Sequence, residues 1–168
     1  MKLSKEQIKH YIKEALLLLL VMTVVANLMS IYRSRTLNDA PLSQQEFRLI
    51  DNSIYHVDRT KPLLIHFWAT WCPTCKLEAS NIEFLSKHFQ VLTIAVKSGS
   101  DYEIKQYLDE HGYTFKVVND KDGSLSRHFQ IAGYPTTFIY DTEQKLRFSE
   151  VGYTSTLGLF IRLLYAEH

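Results

Sequence analysis

Cys72 and Cys75 are the only cysteines of this chain, and just two residues separate them. At that spacing two sulfurs can close a short disulfide, and either can resolve a mixed disulfide formed by the other. Other chemistry is open to a CxxC pair. It could supply half of a zinc site, but no second CxxC or Cys/His cluster completes four-fold coordination, and His10, His56, His88, His111, His128 and His168 form no recognisable ligand set. It could be a passive staple, although so small a loop restrains the unfolded chain weakly. Thiol–disulfide exchange is the expectation, and neither a metal nor a cofactor is expected.

The elements around the pair must place it. The apolar run Leu63-Leu64-Ile65 reads as a buried strand leading into the cysteines. Pro73 stands where a helix would begin, followed at helical spacing by Leu77, Ile82 and Leu85. Cys72 then falls near the N-cap and Cys75 about one turn inside. A sulfur exposed at a helix start meets unpaired amide donors and the positive end of the dipole, which favours thiolate.

The run FWATWCPTC at 67–75, with Gly133-Tyr134-Pro135-Thr136-Thr137-Phe138 far downstream, resembles the thioredoxin superfamily. With Glu78 three residues after Cys75, it is similar to the membrane-tethered, envelope-facing thioredoxins of bacteria. These comprise the TlpA-like proteins, the suppressor-of-copper-sensitivity thioredoxin and the cytochrome c maturation thioredoxins. The resemblance covers about residues 45–168. It implies an α/β thioredoxin fold, a mixed central sheet flanked by helices, and a protein-disulfide oxidoreductase with Cys72 as nucleophile and Cys75 as resolving thiol. It also implies a cis Tyr134–Pro135 bond whose backbone faces the disulfide and pairs with an extended substrate. Protein thiols and disulfides are the implied substrates, with a membrane electron carrier as the implied donor.

Other residues carry two readings each. His66, six residues before Cys72, stands where many thioredoxins keep a buried aspartate; it either exchanges protons or packs as a hydrogen-bonded histidine. Glu78 either tunes the cysteines or is an exposed carboxylate that suits the first helical turns. Trp71 is expected on the contact surface, and Tyr134 either on that rim or buried. Pro73-Thr74 between the cysteines resembles the reductive cytochrome c maturation members. Thr136 after Pro135 departs from their acidic residue and favours the copper-sensitivity branch, with haem maturation as the alternative. A copper- or zinc-binding module and a passive tethered scaffold are the rivals from other classes.

The remaining sequence sets bounds. The 168 residues suit one domain plus an extension, 46% hydrophobic content allows a core, and a net charge of +1 gives no argument for nucleic acid. No charged residue occurs over 15–32, and Leu16 to Leu20 are consecutive leucines. This reads as a single-pass transmembrane helix: the run is longer than a usual signal-peptide core and apolar all round, unlike a core helix. Lys2, Lys5, Lys9 and Lys13 precede it and Arg33 and Arg35 follow, which keeps the N-terminus cytoplasmic. The expected order is a cytoplasmic segment 1–14, a span 15–32 in the bacterial inner membrane, a mobile linker 33–45 and a periplasmic thioredoxin-like domain 46–168.

Within that domain a hairpin is expected about the turn Asp51-Asn52-Ser53. Strands follow at 63–69, 91–96, 115–118, 136–140 and 146–151, with helices at 73–87, 101–111 and 154–165 and a helical turn at 124–129.

Overall fold

The computed structural model describes residues 5–34, 37 and 41–167. Lys2, Arg35 and positions 38–40 of the expected linker lie outside the described residues. The chain opens with helix α1 (Lys5–Ser34), which extends beyond the expected 15–32 at both ends. Among the described residues no helix is long and apolar enough to cross a membrane.

A two-stranded hairpin follows, β1 (Glu46–Arg48) and β2 (Ile54–His56), in register Phe47 to Tyr55. Its turn is built as the residue types dictate. Asp51 accepts from the Ser53 amide at 2.9 Å, and Asn52 takes φ 67, a left-handed backbone that asparagine tolerates. The hairpin is its own sheet and does not extend the central one.

The central sheet has five strands: β3 (Leu63–Trp68), β4 (Gln90–Val96), β5 (Lys116–Asp120), β6 (Thr136–Tyr140) and β7 (Leu146–Val151). Their order is β5-β4-β3-β6-β7, with β3, β4 and β5 parallel and β6 antiparallel to both β3 and β7. Two parallel crossovers, through α2 (Pro73–Ser86) and α3 (Asp101–His111), both step toward β5. Right-handed connections therefore put both helices on one face. The short α4 (Ser124–His128) and the closing α5 (Thr156–Ala166) complete the chain.

Strand β3 is buried along its whole length, with two faces that do different work. Leu64 and Trp68 pack with Ile82 and Leu85 of α2, Ile104 of α3 and Leu159 of α5. Leu63, Ile65 and Phe67 pack on the opposite face with Phe47, Phe129 and Phe138. By alternation His66 points to the helix face, the same one that holds the cysteines.

Two described residues of the expected 33–45 linker pack onto the domain. Leu37 and Leu42 are buried in the core with Phe47, and the Leu42 amide donates to the Gln144 carbonyl at 3.0 Å. Burying a leucine is worth about 1.5–3 kcal/mol, enough to dock a segment whose composition is otherwise that of a loop.

Candidate active site

Everything at the site hangs on the junction of β3 and α2. Cys72 is the N-cap of α2, with extended backbone (φ −88, ψ 113), and Pro73 follows inside the first turn. Proline suits that place because its fixed φ is helical and its missing N–H would be unpaired there anyway. The Cys72 sulfur accepts from the Cys75 amide at 3.3 Å, and the two sulfurs form a disulfide, with 5.3 Å between the Cα atoms.

The turn before the helix is held from the end of β4. The Thr70 amide donates to Ser98 Oγ at 3.1 Å, and Ser98 in turn donates to the Val96 carbonyl at 3.1 Å. Trp71 Nε1 donates to the Lys97 carbonyl at 3.1 Å, while its ring meets Tyr134 edge to face at 5.7 Å. Lys97 thus acts through its backbone. Sequence reasoning missed Ser98, since a lone serine after a strand carries no signal of what it will face.

The second wall is the loop before β6. The Tyr134–Pro135 bond is cis, as the resemblance implied. The Tyr134 carbonyl oxygen lies 3.7 Å from the Cys72 sulfur. Tyr134 is half-buried and Pro135 buried, whereas Pro73 is exposed and Thr74 half-buried. The sulfur itself corrects an expectation. Cys72 is only 5% exposed, because the bridged sulfur sits at the foot of a rim made by Trp71 and Tyr134.

Glu78 is not an exposed carboxylate. It is 0% exposed, one turn after Cys75 on the buried side of α2. Its Oε1 accepts from the Thr154 amide at 3.2 Å, and its Oε2 has no hydrogen-bond partner. Burial, with the Glu150 carboxylate adding to it, pushes its pKa up to about 8 against one opposing amide bond. At neutral pH the fold therefore holds it mainly protonated.

His66 lies buried on the same face of the sheet, with Nδ1 2.9 Å from Thr137 Oγ1 across the β3–β6 ladder. Desolvation drives its pKa down to about 3, so it is neutral in the fold. The described polar partner of His66 is Thr137, not sulfur. Thr137 and Thr154, which orient these two buried groups, were not legible from the sequence. Among the described residues no group of His, Cys, Asp or Glu side chains is placed to hold a metal ion.

Comparison with known proteins agrees with this geometry. Residues 35–149 match the AhpC/TSA family. A thioredoxin-like protein of Haemophilus influenzae is 30% identical over 164 residues, covering 96% of this chain and 98% of its own. The thiol-disulfide oxidoreductase ResA of Oceanobacillus iheyensis is 28% identical, over 82% of this chain and 78% of its own. The crystal structure of StoA from Bacillus subtilis superposes with a TM-score of 0.65 at 20% identity, covering 74% and 98% of the two chains, a likeness of fold. The chain belongs to the AhpC/TSA family and, within it, to the thioredoxin-like protein-disulfide oxidoreductases.

Proposed function

We propose that this protein exchanges disulfides with partner proteins through Cys72 and Cys75, from a position tethered at the outer face of a bacterial inner membrane. The observation that carries the reading is the bridged pair at the start of α2, with the Cys72 sulfur 3.7 Å from the Tyr134 carbonyl. A partner thiolate attacks Cys72, the Cys72–Cys75 bond breaks, and Cys75 leaves with the electron pair. A thiolate on Cys75 would be nearly sealed from water, at 2% exposure. Glu78 sits three residues on, where side chains of one helical face meet, and gives it a proton. A second partner thiolate then attacks the partner's sulfur in the mixed disulfide, the bond to Cys72 breaks with Cys72 leaving as thiolate, and a partner disulfide and the reduced pair are released. The reverse sequence uses the same groups, with Glu78 as the base. The Cys72 thiolate is stabilised by the Cys75 amide that already points at its sulfur.

Trp71 and Tyr134 form the rim against which the partner rests, and Pro73 and Thr74 shape the turn. The dipeptide carries no histidine to strengthen thiolate stabilisation, so the pair is a reductant or a moderately poised exchanger, fed by a membrane donor. Its potential is expected nearer to about −270 mV than to about −120 mV. The tether is α1, whose described side chains from Leu16 to Met22 are all exposed and apolar and which has no charged residue over 15–32.

Trapping tests the exchange. Cys75→Ser is expected to accumulate mixed disulfides with envelope proteins, seen as reducible higher bands, and Cys72→Ser none. No trapped species with Cys75→Ser would overturn the reading.

A further inference from the structure

One exposed apolar feature runs directly out of the disulfide. Successive positions on one side of α2, starting between the cysteines, are Pro73, Leu77, Asn81 and Phe84, with His88 in the turn just beyond the helix. Their spacing of three and four residues puts them in a single stripe. Leu77 is 72% and Phe84 47% exposed, and the Phe84 and His88 rings meet at 4.7 Å. Beside the stripe, Tyr153 is exposed, with its hydroxyl 3.4 Å from Asn81 Nδ2. At the upper end stands Trp71, 56% exposed yet fixed by its bond to Lys97 and its contact with Tyr134. An exposed aromatic already held in one orientation loses little freedom on binding, which makes it an efficient anchor.

The charges point the same way. Both glutamates of α2, Glu78 and Glu83, are buried, so its one exposed charge is Lys76, while the C-cap Lys87 pairs with Glu83 at 3.1 Å. Nothing acidic on this helix opposes an acidic neighbour.

We propose that the stripe along α2 is the docking surface for the partner's cysteine-bearing segment, which is apolar next to its cysteine and acidic, not basic, at its flanks. The inference rests on the redox reading above and adds to it the class of substrate. Its warrant is continuity: the stripe begins at Pro73, next to Cys72, with the exposed Trp71 beside it. From Pro73 to Phe84 the helix rises about 17 Å, which about five extended residues span. The apolar side chains are therefore expected within about five residues of the cysteine.

The test uses the oxidised full-length protein and two reduced single-cysteine decapeptides. One carries Leu and Phe within five residues of the cysteine and Glu at the ends; the other has Ser and Gln in place of Leu and Phe. Each protein disulfide reduced consumes two peptide thiols and yields one peptide disulfide, followed by tryptophan fluorescence. The apolar peptide is expected to react at least ten-fold faster. Leu77→Glu and Phe84→Glu are each expected to cut that advantage at least three-fold while reduction by dithiothreitol stays within two-fold. Equal rates for the two peptides, or an advantage that survives both glutamates, would overturn the docking surface and leave the exchange chemistry standing. A pair that dithiothreitol cannot reduce would instead overturn the redox reading and this inference with it.

Discussion

Cys75 and Glu78 share the buried side of α2, one helical turn apart, at 2% and 0% exposure. The Cys75 sulfur and a carboxyl group with one oxygen left without a partner are thus both buried on this side of the helix. Neither group is comfortable there as an anion. Only one of them needs to be charged if a proton passes between them.

That relationship sets a kinetic expectation. Removing the proton with Glu78→Gln should slow reduction of the disulfide at pH 7 by about 100-fold or more, in the range that positioned acids contribute. In the wild type the rate per partner thiolate should fall as pH rises through about 8, where Glu78 gives up its proton. In the variant that inflection should vanish. Stopped-flow reduction over pH 6 to 10, corrected for the partner's own thiolate fraction, measures both. An unchanged inflection in the variant would assign it elsewhere.

Stability should respond to the two buried groups with opposite sign. Glu78 ionises near 4.5 when unfolded and near 8 when folded, so its contribution is complete below pH 4.5 and is lost as pH rises toward 8. His66 ionises near 6.5 unfolded and near 3 folded, so its contribution is complete above pH 6.5 and is lost as pH falls toward 3. Each slope is at most about 1.4 kcal/mol per pH unit, and between pH 4.5 and 6.5 they oppose. Urea unfolding of Glu78→Gln should show stability rising with pH through that window, whereas His66→Phe should show it falling. The phenylalanine also leaves Thr137 Oγ1 without its partner, costing about 1–3 kcal/mol at pH 7. Parallel pH profiles for all three proteins would refute the assignment.

The proposed membrane tether predicts a fractionation result. In bacterial membranes the full chain should remain in the pellet after alkaline carbonate extraction, and replacing Leu17, Leu19 and Val21 together by lysine should release it. Each lysine at the centre of a span costs about 2.5–3.5 kcal/mol on insertion scales, so three exceed what the remaining leucines recover. Release of the unmodified chain by carbonate would remove the membrane from the account.

How much of this was legible beforehand varies along the chain. The five strands of the central sheet and its helices were readable because apolar runs bounded by turn residues have one sensible local structure, and the start of α2 was marked by Pro73. The hairpin turn was equally plain from Asp51-Asn52-Ser53, but not that β1 and β2 would stand apart from the central sheet. The stretch with Leu37 and Leu42 looked like loop, since two leucines among polar residues form no periodicity of their own.

By itself the sequence determined the spacing of the cysteine pair and the strand and helix that present it, because spacing and residue type act locally, while the proline opposite came from the family resemblance. Tertiary structure alone decided the protonation of the groups around that pair. Glu78 as a letter is an ordinary acid on a helix; buried beside the Thr154 amide just ahead of α5, it holds its proton near neutral pH. His66 is likewise a potential base in sequence and a neutral partner of Thr137 in the fold. The physical reason is that solvation of a charge depends on every neighbour that displaces water, and those neighbours come from segments far apart in the chain.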